Sequence, residues 1–135
     1  MIKTKIQRER LEMEIGKNSY LDSGAELIFW GHVRDRENNK SIIGLEYEHY
    51  DDMASKMLHK IAEATVNKFN LKSLTCIHRV GFIPVGENSL FVQIWSRHRE
   101  SALTAMDWFI REIKNDVPIW KWGVKSDGSK FPSNS

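Results

Sequence analysis

Cysteine is nearly missing from this sequence: Cys76 stands alone among 135 residues. No intramolecular disulfide can form, a cysteine-based metal site is effectively excluded, and the chain fits a reducing compartment. A charge excess of either sign is missing too. Twenty basic residues against 18 acidic ones leave +2, too little to argue for nucleic acid or a membrane surface. No apolar run approaches the length that spans a bilayer. Met1 to Arg10 is polar and basic and lacks the apolar segment of a secretory signal. The expectation is a soluble, cytoplasmic protein. Gly-rich phosphate loops are absent, both GxGxxG and GxxxxGK followed by Ser or Thr, so ATP or dinucleotide use is not indicated. Internal repeats and low-complexity linkers are absent as well.

What is present is an ordinary globular balance. Apolar residues make up 41% and charged residues 28%, and five Trp, six Phe and three Tyr suffice to bury a core. The length suits a single domain over residues 1–135. Leu11, Met13 and Ile15 alternate with Glu12 and Glu14, which predicts a short early strand. Ala25–Val33 and Ile43–Glu48 read as strands that could pair through the polar loop carrying Asn38-Asn39. Asp51 or Asp52 can cap a helix running to about Phe69, with Met53, Met57, Ile61 and Thr65 on its apolar face beside Leu58, Ala62 and Val66. Leu74–Val80 and Leu90–Trp95 read as further strands. A second helix from about Arg97 to Asn115 buries Ala102, Met106, Phe109, Ile110 and Ile113, and Pro118 stops it. From about Lys121 to Ser135 the chain reads as a mobile tail. The order predicts an α+β domain, helices packed on a mostly antiparallel sheet.

Three basic groups are candidates for chemistry. Ser96-Arg97-His98-Arg99 opens the second helix, where cations repel the dipole and a bound phosphate would compensate; a solvated basic loop explains the same residues. His32 and Arg34 point to one side if the first long strand reaches that far, with Arg36 close by. Lys114 suits the negative end of the second helix without any catalysis, and Lys121 follows the stiff segment Pro118-Ile119-Trp120. A lysine near other cations or partly desolvated can act as base or nucleophile. His78 reads as a paired core or interface histidine, Cys76 as a buried apolar residue, and Met53 and Met57 as core. Glu46, Glu48 and His49 split between strand faces and make no metal site. No metal and no cofactor are expected.

Several segments together resemble the large, catalytic subunit of molybdopterin synthase. They are Gly24-Ala25 through Phe29, Gly31 and Val33-Arg34; Leu45-Glu46-Tyr47-Glu48 with Tyr50 and Met53; Ile77-His78-Arg79-Val80-Gly81; Val85-Gly86-Glu87; Ser96 with His98-Arg99; and Lys114 with Pro118-Ile119-Trp120-Lys121. They occur in family order over about Leu21 to Lys121. The resemblance implies an α/β-hammerhead-like fold. It also implies sulfur transfer from the C-terminal thiocarboxylate of a small ubiquitin-like subunit, whose Gly-Gly tail enters a pocket, to cyclic pyranopterin monophosphate. The product is the dithiolene of molybdopterin. The implied assembly is a homodimer within a heterotetramer, with no nucleic acid and no membrane.

Carried over by matching motif, Lys114 and Lys121 would be catalytic and would also bind substrate. His32, Val33, Arg34, His98 and Arg99 would contact the substrate, the last two from the same protomer or from across a dimer. Phe29 and Ile110 would line the pocket. Trp122 and Gly123 belong to the implied substrate region, at positions where the family usually has a basic residue and an acidic one. A scaffold that binds the partner without turnover, and a phosphate-ligand or RNA-binding module, are the alternative readings.

Overall fold

The computed structural model describes residues 1–12 and 20–133. The strand expected around Leu11–Ile15 lies largely outside them. At the polar, basic start, Ile2, Thr4 and Ile6 alternate with Lys3, Lys5 and Gln7 and form β1 (Ile2–Gln7). The remaining elements are β2 (Ala25–His32), β3 (Arg36–Glu37), β4 (Lys40–Ser41), β5 (Gly44–His49), α1 (Asp51–Phe69), β6 (Ser73–Arg79), β7 (Gly81–Pro84), β8 (Asn88–Ser96), α2 (Arg99–Asp116), β9 (Ile119–Val124) and β10 (Lys130–Pro132). They build two four-stranded sheets and a small ribbon. The first sheet has the order β1-β6-β8-β2, the second β10-β9-β5-β7, and β3 pairs with β4. All pairings are antiparallel except β1 with β6. The mostly antiparallel α+β architecture agrees with the expectation.

The predicted pairing of the first two long strands does not form. Asn38 and Asn39 both take positive φ, 50° and 64°, as a two-residue hairpin turn matched to strand twist requires. That turn closes β3 onto β4, so the loop satisfies its own ladder, and β5 pairs with β7 and β9 instead. A one-residue corner joins the two sheets. Val80 separates β6 from β7, and Gly81 sits at φ 87°, where a side chain is strained. The Val80 N–H donates to the Gln7 carbonyl at 2.8 Å. Beside it the buried Arg79 guanidinium meets Glu87 at 2.7 Å.

Both helices cover the first sheet. Ala54, Leu58, Ile61 and Ala62 of α1 and Ala102, Ala105, Met106, Phe109 and Ile113 of α2 pack on Leu74, Cys76, Val92 and Ile94. Each large side chain buried here contributes about 2 kcal/mol from water exclusion. Two details of α1 differ from expectation. Its N-cap is Tyr50, and Asp51 and Asp52 lie in the first turn, where their charge suits the dipole without a capping bond. Met53 is 61% exposed, because the apolar face turns about Ala54 and Leu58 rather than Met53.

A second, smaller core holds Val33, Ile42, Leu45, Ile83 and Phe131, with Tyr47 against it. The chain from Lys121 onward, expected to be mobile, completes β9 and forms β10, which pairs with it. Phe131 is the reason: its buried ring occupies the space beside Gly123 that a Cβ would take. Phe131→Ala should therefore lower the unfolding free energy by about 3 kcal/mol in urea titration. A loss below about 1 kcal/mol would show that the hairpin is not anchored by this ring.

Candidate active site

A cavity of about 630 Å³ opens where the end of β2, the C-terminal turn of α2 and the second sheet meet. Each wall follows from local sequence. The ladder of β2 shifts register between Gly31 and His32, and the chain then brings His32 and Arg34 to the same cavity. Lys114 stands in the last turn of α2, and Ile110 lies one turn earlier. Val117 ends that helix in extended conformation ahead of Pro118; β9 begins at the next residue and carries Lys121 and Trp122 into the cavity. Phe29 lines the other side. Thus Phe29, His32, Arg34, Ile110, Lys114, Lys121 and Trp122 are brought together from three elements and the segment after β2.

Other expected site residues lie elsewhere. Val33 is 2% exposed and belongs to the second core, its N–H bonded to the Glu87 carbonyl at 3.0 Å. Gly123 is buried under Phe131 and offers no surface to the cavity. His98 and Arg99 are exposed at the far end of α2. At 1.5 Å per residue they stand about 22 Å along the axis from Lys114. Their neighbour Arg97 has a partner in Asp22, 3.6 Å away, and Lys72 meets the same carboxylate at 2.6 Å.

The most informative side chain is one the sequence does not single out. Glu37 lies in β3 between exposed neighbours, yet its side chain is only 4% exposed. Its carboxylate stands 3.7 Å from Lys121 Nζ and 3.4 Å from Arg34 Nη2, and it accepts from the Ser133 hydroxyl. A buried acid inside a polar loop leaves no periodic signal. Only the Asn-Asn turn announces that the loop is a hairpin with an inner face.

Burial lowers the pKa of Lys121, and the nearby Lys114 and Arg34 push it the same way; the Glu37 carboxylate acts against them. Tyr47 also lines the cavity, its phenol pushed up by burial. His78 completes the floor. Its ring packs edge-on against Tyr47 at 5.3 Å between centroids, and its Nδ1 lies 2.8 Å from the Arg79 carbonyl. Burial pushes its pKa down to about 4, so it is neutral at pH 7. Trp122 Nε1 is buried with no hydrogen-bond acceptor among the described residues. Glu46 and His49 are engaged with Lys130 and Asp51. Among the described residues no three His, Cys, Asp or Glu side chains converge as a metal set, and no helix is long and apolar enough to cross a membrane. The cavity is suited to an anion that meets clustered cations beside an apolar wall.

A family profile described as MoaE protein matches residues 3–116. The chain belongs to this family. A molybdopterin synthase catalytic subunit of Dictyostelium discoideum is 43% identical over 110 residues, covering 80% of this chain and 70% of that protein. Among solved structures, the molybdopterin synthase of Staphylococcus aureus superposes with a TM-score of 0.86 at 31% identity, covering 96% of both chains. A complex of subunits 1 and 2 of molybdopterin-converting factor from Helicobacter pylori shares the fold, with a TM-score of 0.69 at 24% identity over 84% of this chain and 74% of that one.

The neutral His78 sets an acid limit on the fold. Between pH 6.5 and about 4 the unfolded chain takes up a proton that the folded chain refuses, so stability falls as pH drops through this window and is complete above it. Urea midpoints measured across the window should decline by an amount worth about 3 kcal/mol. In His78→Gln that part of the slope should vanish; an unchanged slope would assign it to other groups.

Proposed function

We propose that this member of the MoaE family is the catalytic subunit of a molybdopterin synthase. In this reading it moves sulfur from the C-terminal thiocarboxylate of a small ubiquitin-like subunit to cyclic pyranopterin monophosphate, forming the dithiolene of molybdopterin. The observation that carries the reading is the convergence of Arg34, Lys114 and Lys121 in one cavity, in a chain whose relatives bear that enzyme's name. The substrate is a phosphate ester, and a guanidinium and an ammonium are the groups that bind one. The donor is an anionic thiocarboxylate: its sulfur bonds to the pterin, water then adds to the resulting thioester carbonyl, charge builds on that oxygen, and the C–S bond breaks to leave sulfur on the pterin and a carboxylate on the donor. A fixed ammonium in a half-dry cavity stabilises that charge far better than water does.

We assign this role to Lys114, at the mouth of the cavity on the last turn of α2, and substrate positioning or proton transfer to Lys121, which is less exposed. Phe29, Ile110 and Trp122 supply the apolar wall for the pterin. Tyr50 and Trp120, both exposed and packed edge-on at 5.1 Å, stand beside Pro118 near the entrance, where a Gly-Gly tail can pass. The donor is a separate small subunit, as in the two-subunit neighbour from Helicobacter pylori. His98 and Arg99 serve the cavity of a second copy, since the length of α2 keeps them from their own. We place the reaction in the cytoplasm, in keeping with a single, buried cysteine.

Reconstitution tests the reading. The purified chain, cyclic pyranopterin monophosphate and a thiocarboxylated small subunit should yield molybdopterin, detected by its fluorescent oxidation product. Lys114→Ala should lower turnover about 100-fold or more while still binding the small subunit. Near-normal turnover in that variant would remove Lys114 from the chemistry. A stable complex that gives no product with the wild-type chain would favour a scaffold.

A further inference from the structure

We propose that Glu37 is a positioning residue for the transfer, its buried carboxylate serving as the shared counter-ion that holds the Lys121 ammonium charged and in place beside Arg34. The inference deepens the reading of the cavity given above and rests on it.

The argument begins with burial. A carboxylate with 4% of its side chain exposed costs several kcal/mol to desolvate unless cations and donors surround it. Glu37 has both, and they arrive from separate parts of the chain. Arg34 follows β2, Lys121 belongs to β9, and Ser133 follows β10. A role confined to tying down the C-terminal hairpin would need only Ser133, and Asn38 already bonds the Pro132 carbonyl at 3.2 Å. The carboxylate instead stands between the two cations of the cavity.

The charges around Lys121 make that position matter. From α2 it faces Lys114, and from the segment after β2 it faces Arg34; both repel its ammonium, and burial also disfavours the charge. His32 lines the wall from the end of β2. Tyr47 on β5 and His78 on β6 are the other titratable neighbours. The phenol is pushed up and the imidazole pushed down, so neither carries charge near neutral pH. Among the described residues, Glu37 is the opposing charge that favours the ammonium. Removing that charge while keeping the shape should release the Lys121 proton more easily. If turnover needs the cation, activity then fades at lower pH than in the wild type.

Only the neutral amine reacts with an acylating agent, so labelling reads the charge state independently of turnover. Wild type, Glu37→Gln and Glu37→Asp are treated with acetic anhydride at fixed pH, and Lys121 labelling is measured by peptide mass spectrometry against the exposed Lys60. The Lys121:Lys60 ratio should rise about tenfold in Glu37→Gln and fall between the two in Glu37→Asp. The alkaline limb of the turnover profile should move to lower pH in the same order. An unchanged or lower ratio in a Glu37→Gln chain that is folded by circular dichroism overturns the inference and leaves Glu37 as a clamp for the hairpin. Should Glu37→Gln fail to fold, the ratio in Glu37→Asp decides in the same way. A wild-type chain that makes no molybdopterin refutes the proposed function, while the labelling ratio still judges the ion pair.

Discussion

The corner at Val80-Gly81 is the constraint on which the cavity depends. A strand that continued straight beyond Arg79 would extend the first sheet and leave the second without its β7 edge. The positive φ of Gly81 turns the chain within one residue, and a Cβ there would press on the Arg8 guanidinium at 3.0 Å. Arg79 fixes the corner from inside through Glu87 at 2.7 Å and the Arg8 carbonyl at 3.3 Å. Losing Glu87 would leave the buried Arg79 guanidinium without its carboxylate partner. With the corner set, His78 ends up at the seam of the two sheets, and β5 and β9 lie opposite the end of β2. The cavity is that seam.

Its electrostatics follow from which elements reach the seam. The last turn of α2 delivers Lys114 where a helix end already favours a cation. Strand β9 delivers Lys121 from its pairing with β5, and the segment after β2 delivers Arg34. Three cations crowded together would repel one another without a counter-charge, and the ribbon β3–β4 places Glu37 among them. An anion entering the cavity therefore meets a preorganised set whose geometry was fixed during folding. Preorganisation of this kind lets a few charges do much in a site partly closed to water.

The sequence made some of this legible and hid the rest for physical reasons. Both helices showed in their three-and-four spacing, and their observed ends lie within about two residues of expectation, the usual scatter of such boundaries. The long strands showed in their apolar runs. Partners of strands did not, because pairing of β5 with β7 and β9 is set by chain reversals distant in sequence. The short strands β7 and β10 carry too few residues for a period to stand out. Phe131, alone among Ser, Gly and Lys, was the one sign that the last segment is held. Lys114, Lys121, Arg34 and His32 were found as cationic clusters and do converge. Val33 and Gly123 sit among those motifs but pack inward, which chain proximity could not reveal. His98 and Arg99 stay with their helix start, out of reach of their own cavity. Glu37 was hidden because its burial is a property of the Asn38-Asn39 turn and of Ser133, not of its own neighbours in the chain.

The central claim is that the phosphorylated pterin precursor binds in the Arg34–Lys114–Lys121 cavity. Calorimetric titration of cyclic pyranopterin monophosphate into the chain, with no sulfur donor present, tests it most directly. One site per chain is expected, with affinity that falls as salt rises and drops about tenfold or more in Lys121→Ala and in Arg34→Ala. Binding of wild-type strength in both variants would place the substrate elsewhere and contradict the account.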